Sequence, residues 1–140
     1  MQSYLLPRSG QAPLKFTGEE IASSEGRIQN GRDHNRWHDL TVYRTVGGGY
    51  VVQVQYRTQW QGECEHDEAV VCDDAQSAAW ELQGYDPTAH CPGYPPGAAY
   101  ADRQTRLMQD LRARYAAQVS EVLAGEEFAE EADATPSPLE

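Results

Sequence analysis

The residues best suited to chemistry are three cysteines and four histidines, and five of these seven lie between positions 64 and 91 of the 140-residue chain. Zinc takes thiolate and imidazole ligands in tetrahedral sets, usually presented as close pairs. Cys64 and His66 form one such pair, His90 and Cys91 a second, and Cys72 stands between them. The spacing matches no standard zinc motif, so a site made of Cys64, His66, Cys72 and Cys91 requires the segment bearing the second pair to fold back onto the first. The alternative makes Cys72 a small buried hydrophobe and the other thiols loop residues in a reducing cytoplasm. No disulfide uses all three thiols, so at least one stays free.

Nucleophilic catalysis requires an activated nucleophile, and the nearest combinations are Cys64 with His66, or Ser23 and Ser24 with His34 and His38. None sits in a strand–turn–helix elbow, and the chain has no GxxxxGK[ST], GxGxxG or HExxH motif. No catalytic residue is assigned. The formal charge is −11, and residues 126–140 supply −6 of it with six acids and no base. A second concentration occupies residues 63–74: Glu63, Glu65, Asp67, Glu68, Asp73 and Asp74, again without a base. Carboxylates so dense repel one another, and this segment reads as a surface for a basic protein or nucleoprotein complex. Arg32, Arg36, Trp37 and His38, with the row Gln53, Gln55, Arg57 and Gln59, form a second candidate surface, for nucleic acid. The overall negative charge repels phosphates and disfavours that reading.

These residues need elements to position them. Residues 40–46 and 50–60 alternate apolar and polar side chains, the pattern of half-buried strands, and Gly47, Gly48 and Gly49 between them predict an antiparallel hairpin. In the second strand Tyr50, Val52, Val54 and Tyr56 share one face, and only that face looks apolar enough for a core. Weaker alternation marks residues 13–23 and a short apolar run marks 68–72. Residues 24–36 read as a polar loop. Asp73 or Asp74 caps a short helix running to about Leu82 and stopped by Gly84, with Ala75, Ala78, Ala79 and Leu82 toward the sheet. Residues 84–97, rich in Pro and Gly, form an irregular connection. From about Ala98 to Leu123 apolar residues recur at 107, 111, 115, 119 and 122, which predicts a long helix ended by Gly125. Its other edge, Tyr100, Met108, Tyr115 and Val122, is a candidate homodimer contact.

The expectation is one α+β domain over residues 1–125: an antiparallel meander of about four strands, with a short helix and a long C-terminal helix packed on one face. Residues 126–140 read as a disordered acidic tail. The start MQSYLLPRSG has no basic region followed by an apolar one, and no window is apolar enough to span a membrane, so the chain is expected in the cytoplasm, with no membrane partner.

The order LKFTGEEIASS, then RWHDLTVYRTVGGGYVVQVQ, then an acidic segment leading through AVVCDD into a helix, resembles the EXLDI family of small bacterial proteins often found on plasmids. Phe16, Gly18, Val42, Tyr43, Arg44, Thr45 and Tyr50 carry the likeness, over residues 14–83. The resemblance implies a mobile-genetic-element setting and no established activity. With the charge and the lack of catalytic motifs, it points to a non-enzymatic interaction module, an inhibitor of the anti-CRISPR or anti-restriction type. The rival reading is a zinc-bound or thiol-based regulator or enzyme using the Cys/His cluster.

Overall fold

Alternating strand sequences become a five-stranded antiparallel meander, order β1-β2-β3-β4-β5, in a computed structural model that describes residues 1–27 and 35–129. The strands are β1 (Gln2–Arg8), β2 (Gln11–Glu25), β3 (Arg36–Thr45), β4 (Tyr50–Thr58) and β5 (His66–Cys72); the helices are α1 (Ala75–Gly84) and α2 (Ala101–Leu123). The architecture is α+β. Arg32 and His34, from the proposed nucleic-acid and nucleophile sets, lie outside the described residues, as do residues 130–140.

Leu40 pairs with Val54 and Val42 with Val52 across β3 and β4, so one sheet face is a continuous apolar row. Ala78 and Leu82 of α1 and Tyr115, Val119 and Val122 of α2 bury this row. The glycine turn closes as expected: Gly48 takes a left-handed φ of 91°, and the Gly49 N–H donates to Thr45 Oγ1 at 3.0 Å. Gly18 is required for a different reason. A Cβ there would lie 2.2 Å from the Arg44 carbonyl oxygen, where β2 crosses from pairing with β1 to pairing with β3.

Three expectations are corrected. First, Gln2–Arg8 adds a fifth strand that alternation did not disclose. Second, both sheet faces are apolar: the sheet curls until Ser9 reaches β5, its N–H donating to the Asp67 carbonyl at 2.8 Å. Inside the curl Leu6, Tyr43, Val51 and Ala69 form a second core, lined by Tyr4, Leu14 and Phe16. Third, the row expected in solvent is largely enclosed. Gln53 is 5% exposed and accepts from the Tyr43 hydroxyl at 2.9 Å, while Gln55 and Arg57 both bond Asp67. Of that row only Gln59 is exposed, so the flat solvent face expected there does not form.

The long helix keeps its expected apolar face, but the proposed dimer edge does not survive intact, because Tyr115 and Val122 belong to the helix–sheet core. The expected tail begins as a 3-10 turn at Glu126–Phe128, with Phe128 packed against that core.

Candidate interaction surface

The six acids of residues 63–74 divide into carboxylates with internal duties and carboxylates open to solvent. Glu63 is internal. Arg36 Nε donates to its two oxygens at 3.0 and 3.1 Å, and Thr58 Oγ1 and the Tyr56 hydroxyl donate to it at 2.9 and 3.2 Å. These donors, Arg36 first, hold its carboxyl below the usual carboxylate range. Asp67 accepts from Arg57 at 2.8 Å and from Gln55 at 3.1 Å, and its backbone anchors Ser9. Asp74 is the N-cap of α1, accepting from the Ser77 N–H at 2.8 Å. Glu68 lies against α1 and the following loop, where burial, then Glu81, pushes its carboxyl upward. Asp73 and Glu65 remain outermost, Glu65 only 3.7 Å from Arg57 at its nearest approach.

Solvation alone therefore does not explain the density, since half of these acids hold the fold together. What faces solvent is an acidic margin continuing past β5 into α1: Asp73, Asp74 and Glu81 are exposed, and no Lys or Arg occurs between Arg57 and Arg103. On this margin stand two apolar side chains that folding leaves uncovered, Trp80 at 61% and Val71 at 59% exposed. Trp80 edges a groove of about 690 Å³ whose wall includes Asp74, Gln76, Ala79, Leu123 and Phe128. Sequence reasoning missed Trp80. The available signal was its place on α1 opposite Ala78 and Leu82, the two residues that face the core.

The Cys/His set gathers in part. The His90–Cys91 segment does fold back toward the start of β5: His90 stacks on His66, ring centroids 3.5 Å apart and 13° between planes. Cys91 is buried with Tyr56 and Leu111. Cys64 is exposed. Cys72 and His66 end opposite termini of β5, six residues and so about 20 Å apart, too far for one tetrahedral ion. Burial pushes the Cys72 thiol up to about 11, which makes it a poor thiolate ligand. Among the described residues no group of three or more His, Cys, Asp or Glu is placed to hold a metal ion.

His38, weighed above as a base and as a nucleic-acid contact, is 2% exposed and ringed by Tyr56, Tyr85 and Tyr115, at centroid distances of 5.4, 5.9 and 5.4 Å. Ser24 is itself buried and its hydroxyl accepts from Gln118 Nε2 at 3.1 Å, so both members of that nucleophile–base combination lie inside the fold. Trp37 is half-buried under the Arg27 guanidinium, and Arg36 is committed to Glu63.

No helix among the described residues is long and apolar enough to cross a membrane. No family model, curated protein or solved structure matches the chain.

Proposed function

We propose that this chain is a non-enzymatic, acidic protein-interaction module that engages a basic protein or nucleoprotein complex. The observation that carries the reading is Trp80, largely exposed over a groove that Asp74 also lines, on a margin without bases. An uncovered tryptophan is costly in water and is the residue type that most often dominates binding energy at protein interfaces. Surrounding carboxylates select a cationic partner and speed encounter with it. The narrower role, an inhibitor of the anti-restriction or anti-CRISPR type carried on a mobile element, rests on the residues shared with the EXLDI pattern, Phe16, Gly18 and Val42 to Thr45 among them.

The test begins with a partner identified by co-purification from the native host and mass spectrometry, then measures its affinity for variants across salt concentrations. Glu65→Gln with Asp73→Asn removes two exposed charges, and the amide oxygen at 65 still offers the Thr58 N–H an acceptor; the variant is expected to slow association and flatten the salt dependence. Trp80→Ala is expected to weaken binding about tenfold or more with melting unchanged. Parental affinity of both variants at every salt concentration overturns the reading.

A further inference from the structure

An antiparallel meander that does not close leaves two edges, and this chain treats its two edges differently. The β1 edge carries Pro7 and a register shift between Leu6 and Arg8, both devices that block pairing with another strand. Along β5, Ala69 to Cys72 has neither a charge nor a proline.

The orientation of the β5 backbone follows from its ladder. Asp67 points both backbone groups away from β4, since its carbonyl accepts from the Ser9 N–H at 2.8 Å and its N–H donates to Ser9 Oγ at 2.9 Å. Backbone direction alternates along a strand, so Ala69 and Val71 present their N–H and C=O groups to the same side. Beyond Asp67 no described strand pairs with that side. A groove of about 400 Å³ runs along it, bounded by Arg8, Ser9 and Gln11 on one flank and by residues 66–71 on the other. Val71 sits at its end on the face that buries Ala69 and Val51, yet is itself 59% exposed.

The geometry points to strand addition: an extended, basic segment of the partner pairs with the open β5 edge and covers Val71. This deepens the acidic-module reading and rests on it for the sign of the partner's charge. Charge also selects against the obvious competitor, a second copy of the chain. A two-fold antiparallel pair centred on Val70 would set Asp67 opposite Asp73 of the second copy, and like charges directly opposed across strands destabilise the pairing. An incoming strand that alternates cationic and β-branched residues meets the exposed Asp73 at one end of the edge and apolar surface at its middle.

The probe is a blocked synthetic peptide of alternating arginine and valine, with a second version N-methylated at alternate residues to remove its strand hydrogen bonds. The peptide is expected to bind saturably and to slow amide hydrogen exchange at Ala69 and Val71. N-methylation is expected to weaken it about tenfold or more. Val71→Pro removes one outward N–H without touching the β4 ladder, and Val71→Lys adds an edge charge while keeping the N–H; both are expected to melt with the parent and to lose the peptide. Unchanged binding in both variants, or protection confined to other amides, overturns strand addition. So does concentration-dependent doubling of mass with Ala69 and Val71 protected in the chain alone, which would make a second copy the occupant. With the natural partner the two readings separate: binding weakened by Glu65→Gln with Asp73→Asn but not by Val71→Pro removes the strand and keeps the acidic surface. The reverse result keeps the strand and removes the electrostatic selection.

Discussion

Glu63 and His38 show how much of this molecule's behaviour rests on single polar side chains in apolar surroundings. A carboxylate whose pKa is lowered by folding contributes stability above its unfolded value, 4.5 here, and that contribution is lost as pH falls through the lower folded value. Glu63→Gln is therefore expected to cost about 2 kcal/mol at neutral pH, by leaving Arg36 without its counter-charge, and to flatten the acid limb of stability below about pH 4.5. Denaturant melts of both proteins across that range check it; parallel acid limbs would assign the limb to other groups. For His38 the sign is the same but the window differs. Burial first, then the Arg114 charge, pushes its pKa down from 6.5 to about 4, so between these values the unfolded chain binds a proton that the native state refuses. Stability is expected to rise with pH from 4 to 6.5 and to level off above, and the His38 ring protons are expected to stay in their neutral positions in an NMR titration until about pH 4. An ordinary midpoint near 6.5 would show that the tyrosine cage admits water. Neither role was legible beforehand: Glu63 reads as one acid in a run, and His38 as one of several candidate bases. What distinguishes them is the partner set, and Arg36 and Tyr115 are remote in sequence from the groups they surround. Gln118 makes the same point. It is 1% exposed, and its Nε2 donates to the Ser24 hydroxyl at 3.1 Å and to the His38 carbonyl at 2.9 Å, tying α2 to β2 and β3 from a position that looks merely polar.

The elements that alternation and capping chemistry made legible are those with one continuous apolar row. β3 and β4 read cleanly because their helix-facing rows are Leu40, Val42, Val52 and Val54, and α2 because its core positions recur every three or four residues. Capping separates two adjacent acids that the sequence leaves equivalent. The Asp74 side chain holds the Ser77 N–H and that of Asp73 does not, so Asp74→Ala is expected to lower the melting temperature while Asp73→Ala leaves it unchanged. Equal losses in thermal melts of the two would place the cap elsewhere. β1 was not legible for a physical reason. In Tyr4-Leu5-Leu6-Pro7 the inward Tyr4 and Leu6 flank an outward Leu5 that is as apolar as they are, so no period of two stands out, and Pro7 reads as a strand breaker although an edge strand tolerates it. The far face of β4 was obscured differently: Gln53 and Tyr43 satisfy each other inside the curl, and a paired polar residue carries the same letter as a solvated one.

At the scale of the molecule, the consequence of the curl is that two cores share the same strands. Leu40, Val42, Val52 and Val54 face the helices, while Tyr43 and Val51, next to Val42 and Val52 in the same two strands, face the interior of the curled sheet against Leu6 and Ala69. Loss of either core removes the support of β3 and β4 that the other requires, so neither half has an independent folded state to retreat to, and the domain is expected to unfold in one cooperative step. Tyr43 tests the coupling, because it touches no helix: its ring packs on Tyr4 and Phe16, at centroid distances of 4.7 and 5.2 Å, and its hydroxyl holds Gln53. Tyr43→Ala opens a cavity, parts the aromatic cluster and orphans a buried amide, a loss of about 4 kcal/mol. If the cores are coupled, that loss appears equally in the far-ultraviolet signal of α1 and α2 and in the near-ultraviolet signal of the aromatic side chains, with coincident midpoints in parent and variant. A variant in which the near-ultraviolet transition moves down while the helices melt as before would show the curl of β1 and β2 to be a separable unit. The open β5 edge, which stays paired with β4, would then begin before Asp67, since Ser9, which marks where that edge begins, moves with β1 and β2.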